Sequence, residues 1–202
     1  MNAPPAKDYF ETLFDASEDP WRFRSSWYEA RKRALTLACL PRLRYRCGFE
    51  PGCANGELSA ALAQRCDRLV VSDVAQAAVG LARRRLSGFA HVEVHQAPVP
   101  DQWPAETFDL LVISELGYYL DTEALDAMAA KARASLSAGG TVLACHWRWP
   151  IAGCPFDGDE VHRRLDERLG LRRLTRLSEP DLLLDVWSDD GRSVGEQEGL
   201  TP

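Results

Sequence analysis

The sequence predicts an α/β fold: a mostly parallel sheet, covered by helices on both faces, that closes in an antiparallel hairpin. Three observations predict it. Short aliphatic runs alternate with capped helical segments along most of the chain, the pattern of strand–helix–strand crossovers. A glycine-bearing turn, Pro51-Gly52-Cys53-Ala54-Asn55-Gly56, follows the first of these runs. The last two runs are parted only by Ser178-Glu179-Pro180-Asp181, short enough for a hairpin.

Tyr9, Phe10, Leu13 and Phe14 fit a short helix, which Asp19-Pro20-Trp21 breaks. Ser25 or Ser26 caps a longer helix with Glu29 in its first turn and Ala34, Leu35, Leu37, Ala38 and Leu40 beyond, until Pro41 stops it. Residues 45–50 read as a strand, and 57–65 as a helix with Leu58, Ala61 and Leu62 on one face. Leu69-Val70-Val71 is a buried strand ending at Ser72-Asp73, and 75–86 is a helix rich in alanine and arginine. A third strand spans 91–95. After a proline-rich connection at 98–104, a fourth spans 108–113. Residues 122–136 form a helix left through Gly139-Gly140, and 141–145 a fifth strand. An irregular stretch with Pro150, Gly153 and Pro155 precedes a helix at 159–169 and strands at 171–177 and 182–187. Residues 1–41 are expected to form a helical cap, 42–190 the ligand-binding domain and 191–202 a flexible tail.

With 202 residues, 46% apolar and 27% charged, the chain can bury a core, which excludes disorder throughout. Its net charge of -6 argues against a globally basic nucleic-acid surface. The charge is uneven: eight basic residues between Arg22 and Arg46 face only Glu29, and seven acids after Leu177 face only Arg192. The early arginines are either a solvated helix face or partners of an anionic ligand group. Cys39, Cys47, Cys53, Cys66, Cys145 and Cys154 include no C-x-x-C pair. They read as small buried hydrophobes rather than a disulfide frame, and no metal is expected. Leu110-Leu111-Val112-Ile113 is far short of the roughly 20 apolar residues of a membrane span. With no basic-then-apolar leader, a cytoplasmic location away from membranes is expected.

Ligands of such sheets bind beyond the carboxyl ends of the strands. That selects residues 50–56, Asp73, Gln96, Ser114, Glu115 and His146. A dinucleotide loop, G-x-G-x-x-G, begun at Gly52 would find Ala54 and Glu57 at its second and third glycines. The triphosphate loop G-x-x-x-x-G-K-[ST] is absent. Glu50 and Glu57 would also repel a pyrophosphate. The loop suits a nucleoside that carries an ammonium and no phosphate. Glu50 can pair with the ammonium, and Gly52 and Gly56 let the linking chain approach the backbone. Asp73, 17 residues after Gly56, can accept both ribose hydroxyls, or serve only as the cap of the next helix. S-adenosylmethionine answers this description.

The run FEPGCANGELSAALAQRCDRLVVSDVAQAAV resembles motifs I and II of the class I S-adenosylmethionine-dependent methyltransferases. With DPW near the start, then SWYEARKRALTLACLPR, SELGYYL, CHWRWP and GDEVH, the chain resembles the nodulation protein S family over about residues 8–187. The resemblance implies a Rossmann-like, seven-stranded sheet with an antiparallel last strand, S-adenosylmethionine as cofactor and S-adenosylhomocysteine as its product. It sets Glu50 and the backbone of Gly52, Cys53, Ala54 and Gly56 at the methionine part, and Asp73, with Val74 beside it, at the ribose. Gln96 and Ala97 are expected at the adenine, and Ser114 and Glu115 between methionine and acceptor. Arg31 is a candidate for the methionine carboxylate, or one solvated charge among three consecutive basic residues. Trp21 is expected in the pocket wall.

An amine acceptor must be neutral when it attacks, and a carboxylate or imidazole in reach can take its proton. Glu115, Tyr118, Tyr119 and His146 are the candidates; the tyrosines equally fit the packing of a short turn. His162 reads as a surface histidine unless its helix caps the pocket. Trp27 and Tyr28 read as core packing, Trp147 and Trp149 as pocket wall. Members of the resembled family N-methylate the free amine of a deacetylated chitooligosaccharide. The implied partner is therefore a small molecule, an amino sugar or oligosaccharide, handled by a monomer or weak homodimer. The alternatives are a small-molecule O-methyltransferase and a catalytically silent cofactor-binding protein. The broken glycine pattern disfavours a nucleotide-dependent oxidoreductase. Ser114-Glu115-Leu116-Gly117 stands where a base-modifying methyltransferase would want Asn/Asp-Pro-Pro-Tyr/Phe.

Overall fold

The structure, a computed structural model, describes residues 7–200. The first six and last two positions of the expected cap and tail lie outside the described residues. In chain order the elements are α1 (Lys7–Ala16), α2 (Trp27–Cys39), β1 (Tyr45–Pro51), α3 (Glu57–Ala63), β2 (Cys66–Asp73), α4 (Gln76–Leu86), β3 (Val92–Gln96), β4 (Phe108–Ser114), a 3-10 turn (Gly117–Tyr119), α5 (Thr122–Ser135), β5 (Leu136–Trp147), α6 (Gly158–Leu169), β6 (Arg172–Ser178), β7 (Leu182–Ser188) and α7 (Val194–Gln197).

The seven strands form one sheet in the order β3-β2-β1-β4-β5-β7-β6. The first five pair in parallel, whereas β7 runs antiparallel to both β5 and β6. Strand order reverses between β1 and β4, so the crevice for a ligand opens beyond their carboxyl ends.

Alternate residues of each strand face opposite layers, as the two-residue period of a strand requires. Leu69, Val71, Leu110, Val112, Leu143 and Cys145 pack with Leu62, Ala82 and Leu86 of α3 and α4. Val70, Leu111, Ile113, Val142 and Ala144 pack with Leu125, Met128, Val161 and Leu165 of α5 and α6. Burial of each such aliphatic side chain is worth about 1.5–3 kcal/mol, so both faces hold the strand ends in register.

α1 is joined to the domain through α4. Phe14 is buried against Ala75, Ala78 and Leu81. The Glu11 carboxylate accepts hydrogen bonds from the amides of Gln76 (2.7 Å) and Ala77 (3.1 Å), placing a negative charge at the positive end of α4.

Three expectations shift. β5 begins at Leu136, not at 141, because Leu136 pairs with Phe108 before the register slips to Leu110 opposite Thr141. The extra residues include Gly139 at φ 71°, so the glycines sit in a strand irregularity rather than at a helix exit. α3 stops two residues early, since Cys66 already belongs to β2. The stretch expected to be loose carries the one-turn α7, closed by a capping box between Ser193 and Glu196.

Candidate functional site

A cavity of about 570 Å³ lies between the β1–β4 crevice and the two N-terminal helices, within the range of about 300–1,000 Å³ for small-molecule sites. Of the predicted site residues, Trp21, Glu50, Gly52, Cys53, Ala54, Asp73, Val74, Ala97, Ser114, Glu115, Tyr118 and Tyr119 line it.

At one end the loop after β1 bends through positive φ at Gly52 (75°), Ala54 (49°) and Gly56 (82°). Its turn is fixed by Gly52 and Cys53 amides donating to the Ser72 carbonyl at 2.7 and 2.9 Å. Asp73 closes the loop from β2: its Oδ2 accepts from the Ala54 amide and its Oδ1 from Ala75, each at 2.9 Å. A carboxylate has about four lone-pair sites, so each oxygen keeps one for a ligand hydroxyl. The capping role weighed for Asp73 and the binding role are therefore compatible. Burial pushes Asp73 up from the usual aspartate range, opposed by these backbone amides. Glu50 is buried beneath the loop, accepting from the Ser59 hydroxyl at 2.6 Å. Burial, which the Ser59 bond only partly offsets, pushes it up to about 8. A cation arriving beside it would favour the ionised form.

The charges at this end fit an ammonium and not a phosphate. Arg24 and Arg85, the arginines that reach the loop, both end on Glu57. Asn55 is fully buried; its Nδ2 donates to the Glu18 carbonyl and to Asp19, while its Oδ1 has no partner. An unpaired buried acceptor costs about 1–3 kcal/mol, which a donor on a bound molecule would recover. The apolar side, with Val74, Ala97, Pro98 and Val99, fits a planar base. The residues present thus suit an aminoacyl nucleoside.

The other end is built by residues far apart in sequence. Glu115, at φ 52° just past β4, accepts from Lys32 Nζ on Oε1 (2.8 Å). Its Oε2 accepts from the Trp147 amide (3.1 Å) and the Tyr118 hydroxyl. Lys32 Nζ also donates to Glu29 at 2.9 Å. Burial works against the Lys32 ammonium, but the charges of Glu115 and Glu29 together outweigh it and hold its pKa above the usual lysine value. Burial raises the Glu29 carboxyl, with Lys32 opposing. Tyr28 presents its ring to Lys32 at 5.4 Å and its edge to Trp147 at 5.5 Å. Its hydroxyl is buried without a partner. α1 roofs the space, with Phe10 edge-on to Tyr119 at 5.0 Å.

Several expectations are corrected here. Arg31 points away from the cavity into a forked pair with Glu179 at 2.7 and 2.6 Å; the next two residues, Lys32 and Arg33, line it instead, Lys32 buried and Arg33 donating to the Phe23 carbonyl. Gln96 lies outside the lining with its amide nitrogen on the Val74 carbonyl (3.1 Å), and Gly56 serves as the left-handed cap of α3 rather than as wall. His146 does not reach the cavity: it is fully buried, with one ring nitrogen on Gly117 and the other on His162. His162 is likewise buried, not on the surface. Tyr28 lines the cavity instead of the core, Trp27 is 77% exposed, and Trp149 is exposed with its indole donating to Asp181. Trp147 does line the wall.

Comparison with known proteins agrees with this architecture. A profile of the nodulation protein S family matches residues 5–153. Nodulation protein S of Rhizobium tropici is 36% identical over 106 residues, 52% of this chain and 44% of that protein. The chain thus spans about half the length of the curated relatives it matches. A candidate methyltransferase from Pseudomonas syringae superposes with TM-score 0.73 at 56% identity, over 81% of this chain and 99% of that one. The N-methyltransferase NodS from Bradyrhizobium japonicum WM9, solved with S-adenosyl-L-homocysteine, gives TM-score 0.80 at 27% identity, over 90% and 97%. The seven-stranded mixed sheet is the Rossmann-like class I methyltransferase fold. On the profile match, which covers well over half its length, the chain belongs to the nodulation protein S family.

Proposed function

We propose that this chain is an S-adenosylmethionine-dependent N-methyltransferase whose acceptor is the free amine of a small molecule, an amino sugar or a saccharide conjugate. The observation that carries the reading is the division of one cavity into two chemistries. One end offers Asp73, Glu50 and a left-handed loop beside which Arg24 and Arg85 are both paired with Glu57; the other offers Glu115 held by Lys32 and Tyr118, with Tyr28 beside them in the wall.

When bound, S-adenosylmethionine supplies a methyl carbon on a sulfonium. Asp73 holds the ribose, Glu50 the amino group, and Ala97 to Val99 the base. Glu115 takes the role of proton acceptor. Three donors occupy three of its roughly four lone-pair sites, and the fourth is left for an acceptor N–H. Tyr118 and Lys32 fix the carboxylate so that it meets the amine without reorganising. Such alignment contributes up to about 7–11 kcal/mol in favourable intramolecular cases. Tyr119, Phe10 and Trp147 exclude water around it.

The family resemblance and the N-methyltransferase activity of the Bradyrhizobium relative support an amine; the aromatic and acidic lining supports a sugar. The test is a complex with S-adenosylhomocysteine combined with a methyl-transfer screen over glucosamine, chitooligosaccharides bearing a free terminal amine, and matched N-acetylated sugars. Transfer to the free amines alone is expected. Transfer to a hydroxyl of the acetylated sugars would make the chain an O-methyltransferase, and cofactor binding without any transfer would make it silent.

A further inference from the structure

Three fully buried titratable side chains lie behind the cavity and have no part in the chemistry above: His146 on β5, His162 on α6 and Asp185 on β7. They form one chain of hydrogen bonds. The Gly117 amide donates to His146 Nε2 at 3.1 Å. His146 Nδ1 lies 3.1 Å from His162 Nε2, and His162 Nδ1 lies 2.7 Å from Asp185 Oδ2. Arg176 forks onto Asp185 at 2.8 and 2.7 Å from the sheet edge.

The direction of every bond follows from its first link. A backbone N–H can only donate, so His146 Nε2 carries no proton and Nδ1 does. That proton requires a bare Nε2 on His162, which puts the His162 proton on Nδ1, facing a carboxylate that only accepts. Burial keeps both imidazoles below the usual histidine range, and the His162 and Arg176 bonds keep Asp185 low despite its burial.

The first link is where the relay meets the site. Glu115 sits in the left-handed region at φ 52°, a conformation costing of order 1–3 kcal/mol that persists only where its surroundings over-determine it. One anchor is the Glu115 amide on the Cys145 carbonyl at 2.9 Å; the other is Gly117 on His146. Gly117 has no room for a side chain, since a Cβ there would lie 2.4 Å from Val161 Cγ1. The Tyr118 ring stands edge-on to His146 at 5.4 Å, and its hydroxyl reaches Glu115.

We propose that His146, His162 and Asp185 are positioning residues: a buried relay that locks the 115–119 turn and so aims Glu115 and Tyr118 into the cavity. The proposal rests on the reading of that cavity as the place of methyl transfer. Its core, however, is a protonation pattern that can be seen without turnover.

The test has two arms. Nitrogen-15 NMR of the imidazoles in the intact protein at neutral pH is expected to show both rings neutral with the proton on Nδ1. A proton on Nε2 of His146 overturns the relay outright. With S-adenosylmethionine and glucosamine, His146→Leu, which removes the acceptor for Gly117, is expected to lower kcat about tenfold or more, with affinity for S-adenosylhomocysteine within about twofold. His146→Gln, whose Oε1 can reach the Nε2 position, is expected to restore most of that loss. Equal turnover by the two variants overturns the positioning role. If the wild-type protein transfers nothing to glucosamine, the proposed acceptor reading fails while the tautomers still decide the relay.

Discussion

The two ends of the cavity differ in how they are made. At the β1–β2 end, nearly every group comes from residues 50–56 and from Asp73 and its neighbours, and much of the work falls to backbone amides bent through positive φ. At the β4–β5 end, Lys32 comes from α2, Glu115 from the end of β4, Tyr118 from the 3-10 turn and the Trp147 amide from β5. The first end is a local conformation. The second is a balance of buried charges that exists only once distant segments have met. A conformation tolerates the loss of one contact better than a charge balance tolerates the loss of one charge.

The largest effect should therefore come from Lys32→Met. It leaves the buried Glu29 and the part-buried Glu115 with no lysine between them. Removing one partner of a buried pair costs about 3–5 kcal/mol, readable as a lower midpoint in urea unfolding. Adding Glu29→Gln to Lys32→Met is expected to recover part of the loss. A stable single variant would mean that the charges at this end are not coupled.

At the other end, Asp73→Ala is expected to weaken S-adenosylmethionine binding about a hundredfold, roughly 2.7 kcal/mol, in calorimetry. The change removes two hydroxyl acceptors and frees the Ala54 and Ala75 amides. Unchanged affinity would remove the ribose assignment and leave the loop as structure alone.

The contrast also explains what the sequence disclosed. The β1 turn, Asp73 and the strands between were legible because their signals are contiguous: an aliphatic run, then glycines, then an acid where the next run ends. Lys32 was not. The buried residues of α2 are Glu29, Lys32 and Thr36, a polar stripe at helical spacing. A search for an apolar stripe therefore orients this helix wrongly. Among Arg31, Lys32 and Arg33, successive residues turn about 100° apart; Lys32 and Arg33 both line the cavity, and only the position of Glu29 one turn earlier marks Lys32 as the buried one. His146 and His162 were misplaced for a related reason: each is satisfied by the other, and no local pattern announces a pair 16 residues apart.

Glu115→Gln sharpens the division of labour. The amide can no longer accept from Lys32, Tyr118 and Trp147 together, while the loop after β1 is untouched. Turnover is expected to fall about tenfold or more with cofactor affinity nearly unchanged. A parallel loss of both would merge the two ends into one site.

Glu50 gives a smaller effect of definite sign. With burial holding it at about 8, the carboxyl is mostly protonated at pH 7 in the free protein. An ammonium placed beside it favours ionisation, so cofactor binding at pH 7 should release a fraction of a proton. Calorimetry in buffers of differing ionisation enthalpy reads that release. It should shrink well above pH 8, where Glu50 is ionised before binding, and vanish in Glu50→Gln. Proton uptake instead would place the ammonium elsewhere.

Arg31→Ala should do least, and for a reason that returns to the same helix. Its guanidinium is held by Glu179 on the loop between β6 and β7, with 41% of the Arg31 side chain exposed. Pairs in such surroundings are screened by solvent, and the cavity lies on the neighbouring face of α2. Cofactor affinity and turnover are therefore expected to match the wild-type protein within error. A clear loss of affinity would mean that Arg31 leaves Glu179 when the cofactor binds and closes on its carboxylate. The cation at that end would then be supplied by movement, not by the resting fold, and the β1–β2 end would cease to be a purely local construction.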